Sequence, residues 1–120
     1  MSHRTERFER GVASVHALTL MMLLTTISGA CLCAVMIYGL KQKSSSGADF
    51  AALAASQASV EGVNGCKAAA RLAKANSVEL IACRMDAEVA TVTTRASVST
   101  PFGAWGIKSR ARAAPAFYFE

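Results

Sequence analysis

The strongest pattern in the chain is an uncharged, largely apolar run over residues 12–40, which reads VASVHALTLMMLLTTISGACLCAVMIYGL. It opens after Arg10-Gly11 and closes at Lys41, and it is 29 residues long. A bilayer core about 30 Å thick is crossed by roughly 20 apolar helical residues. The pattern therefore predicts one membrane-spanning helix, with a short tail before it and 80 residues after it.

Helical patterns continue after the apolar run. Residues 44–47, Ser-Ser-Ser-Gly, predict either a linker or a weak turn in a continuing helix. Residues 48–58 are alanine-rich and favour a helix, with Phe50, Leu53 and Ala54 forming a narrow apolar stripe. Residues 66–75 predict a second helix whose basic face is solvated and carries Lys67, Arg71 and Lys74.

Strand patterns fill the rest of the chain. Alternation and β-branched residues predict strands over 78–85 and 88–100, followed by a turn over 101–106 that contains Trp105. Residues 107–113 alternate small or apolar residues with basic ones, as an edge strand does. The aromatic tail 116–120 predicts either a docking surface or burial against the sheet. The expected fold class is α+β: a long N-terminal transmembrane α-helix, a second short helix and a small antiparallel sheet of about three strands.

This pattern predicts a division of the chain into five segments. They are a cytoplasmic basic tail or leader (1–11), a transmembrane helix (12–40), a membrane-proximal alanine-rich helix and linker (41–63), a small exported α/β domain (64–115) and a tail (116–120).

Charge sets the expected orientation. The tail carries Arg4, Arg7 and Arg10, whereas the far flank of the apolar run carries only Lys41 and Lys43. The positive-inside rule then favours a cytoplasmic N-terminus and an extracytoplasmic C-terminal domain. The formal net charge of +5 suits anionic lipid headgroups better than nucleic acid, because the basic residues are scattered and no aromatic residues are interleaved with them.

The two cysteines of the apolar run have two interpretations. Ser28-Gly29-Ala30-Cys31 partly resembles a lipobox, which would make the protein lipidated at Cys31. However, the apolar run continues past Cys31, so packing residues in a helix are the preferred interpretation. Small residues four apart let a second helix approach closely, and here they are Gly29, Ala30, Cys33 and Ala34.

The other two cysteines, Cys66 and Cys83, lie in the exported part. A helix from Cys66 to Asn76 rises about 15 Å, and a strand from Val78 to Cys83 returns about 16 Å. A reversal at Asn76-Ser77 would therefore bring Cys83 beside Cys66. Either a disulfide or two unpaired buried thiols would satisfy this geometry, and export favours the disulfide.

Catalytic patterns are missing from the sequence. There is no glycine-rich phosphate loop, HExxH or CxxC motif, and both histidines, His3 and His16, lie at or before the start of the apolar run. We therefore expect no enzyme activity, catalytic residue, metal, cofactor or small-molecule substrate.

The order of these pieces resembles the TadE-like family, minor pilin-like proteins of tight-adherence (Tad/Flp) pilus systems, and above all its short branch encoded beside secretion genes in high-GC Gram-positive bacteria. Three stretches carry the resemblance: Arg10 to Val15, Gly47 to Ala55, and the cysteine–helix–Ala-Asn–strand–cysteine unit from Cys66 to Cys83. Ser77 and Ala87 stand where the family usually has turn glycines.

The resemblance implies a leader that is cleaved by a prepilin peptidase, with Gly11 at the cleavage position. Five residues further on, where pilins usually carry a glutamate, this chain has His16. The expected function is a membrane-anchored minor pilin or pseudopilin of a Tad-type pilus or of a type II/IV secretion-like system, with other pilin-like membrane proteins and the lipid bilayer as partners. The alternatives are a single-pass membrane protein whose exported domain binds an envelope partner, and a lipidated envelope protein.

Overall fold

The computed structural model describes the backbone of residues 2–119 and the side chains of residues 11–117. The tail side chains Arg4, Arg7 and Arg10, and the aromatic side chains Tyr118 and Phe119, lie outside the described residues. The described elements are two helices, α1 (Ser2–Val60) and α2 (Gly65–Ala75), three strands, β1 (Glu79–Asp86), β2 (Val89–Thr100) and β3 (Gly103–Ala113), and a 3-10 turn, Ala116–Phe119. The strands form one antiparallel sheet in the order β1-β2-β3. The expected α+β fold is confirmed.

The chain divides into two compact units, Met1–Met36 and Ile37–Glu120. The first is the N-terminal part of α1. The second, called the head below, contains the remainder of α1, α2 and the sheet.

Within the head, α1 continues without a break through the Ser-Ser-Ser-Gly stretch, so the linker interpretation of residues 44–47 is wrong. Ser44 is fully buried against β2. The Thr94 hydroxyl donates a 2.8 Å hydrogen bond to the Ser44 carbonyl oxygen, and the two hydroxyls lie 3.4 Å apart. These contacts supply Ser44 with partners in β2, which offsets the preference of serine for turns at this position.

The head core is made mainly of alanine. Its α1 contribution is Ala48, Ala51, Ala52 and Ala55, spaced three and four apart and all but fully buried. The predicted stripe lies on a different face, where Phe50 is 52% and Leu53 50% exposed. Small side chains occupy the buried face of α1 because they let the helix backbone lie close to the sheet.

Two glycines show how close the packing is. A Cβ at Gly47 would lie 2.5 Å from a methyl carbon of Val78, and one at Gly65 would lie 2.6 Å from the carbonyl oxygen of Ala55. Gly65 is therefore the point where α2 touches α1. Asn64 caps α2 by accepting a 3.1 Å hydrogen bond from the Lys67 amide, and the basic face of α2 is exposed, as predicted.

A bulge in β1 changes which side chains face the core. Leu80 pairs with Thr94 and Ala82 with Thr93, which leaves Ile81 as the extra residue. One inserted residue moves the following side chains to the opposite face of the sheet. As a result, Cys83 and Met85 pack against the core, whereas Ile81 and Ala82 are exposed.

Because of the bulge, the Cys83 side chain lies on the face of the sheet that packs against α2. The structure joins Cys66 to Cys83 in a disulfide with Cα atoms 5.7 Å apart. The alternative of two unpaired thiols is wrong for this pair.

The β2–β3 hairpin is longer than the sequence indicated. Pairing runs from Ala90–Ala113 to Thr100–Gly103, so the turn consists of Pro101 and Phe102 alone. The predicted turn over 101–106 is therefore wrong in extent, and Trp105 lies within β3. Gly103, with φ +126°, permits the early return of the chain. The prediction that the last strand is an edge strand is confirmed.

Candidate interaction surfaces

The first surface is the apolar helix surface, which consists of α1 residues 11–39. Every side chain in this range is exposed, including Leu18, Met22 and Met36 at about 70%. Within the described part of the chain, α1 is the helix that is long and apolar enough to cross a membrane. Nothing in the described part of the molecule covers this surface.

Five polar side chains of the apolar helix surface bond to the backbone of the helix itself. The hydroxyls of Ser14 and Thr26 donate 2.8 Å hydrogen bonds to Gly11 and Leu23 carbonyls, and Thr19 and Thr25 bond in the same way. His16 Nδ1 lies 2.9 Å from the Val12 carbonyl oxygen. Groups bonded in this way are less costly to place in hydrocarbon, because each retains a partner there.

The small-residue strip predicted for helix packing lies on this surface. Gly29 and Cys33 are four residues apart, as are Ala30 and Ala34, and all four are exposed. A Cβ at Gly29 would meet no heavy atom within 4 Å. The strip is therefore open to a second helix, while Cys31 and Cys33 are free, exposed thiols in the middle of the helix.

The proposed leader site is also exposed. Gly11 lies in α1 with open space around it, and His16 lies little more than one helical turn further along the same helix. Side chains 1–10 lie outside the described residues, so the structure leaves the cleavage prediction untested.

A groove crosses the head between the C-terminal part of α1 and the end of the sheet. It has a volume of about 800 Å³ and is lined by apolar residues including Leu53, Val60 and Phe117, together with the polar side chains of Gln57 and Glu61. A smaller depression of about 360 Å³ adjoins it at Leu53, with Asp49 and Arg112 beside it. Sequence reasoning missed this groove because it identified only a narrow apolar stripe through Leu53, whereas the neighbouring alanines form the core and leave Leu53 to line the groove.

The last surface is the hairpin tip, residues 97–106 at the end of β2 and β3. All ten residues are exposed. Phe102 is 95%, Trp105 68% and Val98 43% exposed. The only sequence signal for it is the Pro-Phe-Gly turn between two β-rich stretches.

The titratable groups are dispersed. Among the described side chains, no three His, Cys, Asp or Glu residues come together as a metal-binding group. The ion pair that the structure describes, Arg84–Asp86 at 3.1 Å, lies on the solvent-exposed side of β1. The geometry of residues 11–117 therefore offers surfaces for association.

Comparison with protein-family models, with curated proteins and with solved structures finds no match to this chain. The resemblance to the TadE-like family therefore stays a prediction, and the surfaces themselves carry the functional proposal.

Proposed function

We propose that this protein is a membrane-anchored minor pilin-like or pseudopilin-like component of a Tad-type pilus or secretion system, acting by helix packing and protein–protein interaction. The observation that carries the proposal is the contrast along α1. Its residues 11–39 are all exposed and mostly apolar, whereas its residues 44–56 contribute one wall of the head core.

The energetics support membrane anchoring. Covering one large apolar side chain is worth about 1.5–3 kcal/mol, and α1 exposes 14 such side chains between Val12 and Tyr38. The total is on the order of tens of kcal/mol, which is too much apolar surface for a monomer to leave in water. Lipid, or the helices of partner proteins within lipid, would cover it.

The disulfide supports export of the head. Disulfides persist in oxidising compartments and are rare in the cytosol, and Cys66–Cys83 joins two elements of the head. Together with the arginine-rich tail, this favours a cytoplasmic N-terminus and an extracytoplasmic head.

The small-residue strip supports the pilin-like proposal over a plain anchor. Close helix packing in membranes uses small residues four apart, and Gly29, Ala30, Cys33 and Ala34 have this spacing on an exposed face. His16 stands where pilins carry a carboxylate, and it cannot supply a negative charge to a neighbour's N-terminus. The protein is therefore proposed to be a low-copy, membrane-resident component.

The first test examines anchoring and processing. A reporter that is active only outside the cytoplasm, fused after Glu120, should be active, and the chain should stay with membranes after alkaline washing. An intact mass showing cleavage after Gly11 supports the pilin-like proposal. An intact N-terminus favours the plain envelope-binding anchor, and acylation at Cys31 favours the lipidated protein. A reporter active only in the cytoplasm would overturn the orientation.

The second test examines the strip. Gly29→Leu places a large side chain where a partner helix would approach, so co-purification of pilin-like partners should fall while membrane insertion is unchanged. Leu24→Ile is the matched control, because it changes shape without adding bulk. Equal recovery of partners with wild type and Gly29→Leu would count against packing through this face.

A further inference from the structure

The outer edge of β3 has no strand beside it. Strand β3 (Gly103–Ala113) pairs with β2 on one side and ends the sheet on the other. The described backbone hydrogen bonds outside the helices and the sheet all lie between residues 57 and 78, so none of them reaches β3. In an antiparallel sheet, an edge strand turns every second pair of N–H and C=O groups away from its neighbour. Among the described residues, this edge therefore offers a row of unpaired backbone donors and acceptors.

The face of the sheet away from α1 carries a row of cations along the same edge. Lys108, Arg110 and Arg112 are exposed at every second position of β3, with their Cα atoms about 7 Å apart. The carboxylates within the strands, Glu79 and Asp86, lie in β1 at the opposite edge. A strand added beside β3 would place its own side chains about 4.5–5.5 Å from the cations. Carboxylates at every second position of that strand would then meet one cation each.

The helix side of the edge has room for apolar side chains. Ala111 and Ala113 of β3 are buried on this side. Beside them is the depression of about 360 Å³, which is lined mostly by alanine, with Leu53 and Asp49 of α1 and Arg112 of β3. It adjoins the larger apolar groove at Leu53. An added strand would direct the other half of its side chains into this space, so we expect that half to be apolar.

Trp105 lies on the same helix-facing row, nearer the hairpin tip. Side chains alternate along a strand, so Trp105 shares a face with Ala111 and Ala113. It is 68% exposed, and its β2 partner Val98 is 43% exposed. A strand that follows the whole of β3 would cover apolar surface at both ends of the edge, at Trp105 and in the depression beside Ala113. Burial of that surface would favour the addition.

We propose that the outer edge of β3 binds an extended segment of another protein as a fourth strand, and that this segment alternates Asp or Glu with apolar residues. Backbone hydrogen bonds supply affinity in such strand addition, and the alternating side chains supply specificity. The chain itself has no free segment of this kind. Asp86 and Glu88 are its only carboxylates two residues apart, and they flank the β1–β2 turn. The site belongs to the head, so it does not depend on whether α1 crosses a membrane.

A peptide titration of the full chain in nonionic detergent micelles tests this proposal. The probe is a short capped peptide that alternates valine with glutamate. Trp105, the only tryptophan of the chain, should show a saturable blue shift, and alternate amides of β3 should gain protection from hydrogen exchange. The same peptide N-methylated throughout keeps its charges but has no N–H donors, so it should bind about tenfold more weakly or less.

Two results would overturn the proposal outright. The first is no binding of the valine–glutamate peptide. The second is equal binding of its N-methylated form or of inorganic polyphosphate, which would assign the cations to polyanions and leave the backbone edge without a role.

Matched charge reversals locate the peptide on the head. Arg110→Glu replaces an attractive cross-strand pair with a repulsive one, so it should weaken binding about tenfold. A peptide with lysine in place of its central glutamate should recover that loss, which a misfolded variant could not do. Arg71→Glu, the same change on the exposed face of α2, should bind as wild type does. Equal affinity of the two variants, or no recovery with the lysine peptide, would contradict binding along β3.

Discussion

Replacing Gly47 by alanine tests the close contact between α1 and the start of β1. The new Cβ would lie 2.5 Å from one methyl carbon of Val78 and 3.1 Å from the other, whereas carbon atoms in contact prefer about 3.5–4.0 Å. Val78 is only 6% exposed, and its branched side chain has few rotamers. The helix or the residue must therefore move.

Two opposing contributions determine how much Gly47→Ala changes the stability of the head. Overpacking of a core costs about 1–3 kcal/mol, and alanine in place of glycine within a helix returns about 0.5–1 kcal/mol. Because the overlap with Val78 is more than 1 Å against the preferred contact, we expect the head to lose about 1–2 kcal/mol. Gly39→Ala is the matched control in the same helix, since its Cβ would meet no atom within 4 Å.

Native-state hydrogen exchange of the β2 amides, with the chain in detergent micelles, measures this loss without interference from the long helix. Gly47→Ala should lower the protection of these amides, whereas Gly39→Ala should leave it unchanged. Val78→Ala should also cost less in the Gly47→Ala background than in wild type, because it removes the overlapping methyl groups. Protection in Gly47→Ala equal to that in Gly39→Ala would refute the packing argument.

Three further changes probe other parts of the head. Cys66→Ser should lower the free energy of unfolding by about 2–4 kcal/mol, whereas Cys33→Ser, at a free exposed thiol, should leave it unchanged. Urea titrations without reductant measure both variants. Equal stability of the two variants would contradict the disulfide. Thr94→Val removes the hydroxyl that donates to the Ser44 backbone carbonyl and should cost about 0.5–1.5 kcal/mol in the same titrations; most of this loss should persist in the Ser44→Ala background, which keeps that carbonyl. Ala87→Gly should raise stability by about 1 kcal/mol, because Ala87 has φ +55°; a lower melting temperature would show that this turn carries no strain.

The sequence was sufficient for features that depend on long or repeated patterns. The apolar run of α1, the alternation in β2 and β3, and the spacing of Cys66 and Cys83 each predicted an element or contact that the structure contains. Ser77 and Ala87, which by the predicted resemblance to the TadE-like family replace turn glycines, both have φ +55°. The sequence alone did not predict this left-handed backbone, because neither residue is a glycine.

Features that depend on how the elements pack together could not be predicted from the sequence. Hydrophobicity favours Phe50 and Leu53 as the buried face of α1, but close approach to the sheet selects the alanines beside them. Strict alternation in β1 puts Cys83 on the face opposite Leu80, and the bulge at Ile81 reverses this. The proximity of Cys66 and Cys83 was thus correctly predicted from helix and strand rise, whereas the bulge that turns Cys83 toward α2 was not.

The position of β3 at the edge of the sheet has a consequence for aggregation. An eleven-residue edge strand is a template on which another chain can add its own strand. If α1 anchors the protein as proposed, copies in one membrane would meet at high local concentration, which would raise this risk. Lys108, Arg110 and Arg112 are exposed at every second position of β3, so two such edges repel one another before they can pair. The surplus of cations that first suggested a charged ligand also keeps neighbouring heads from fusing into a common β-sheet.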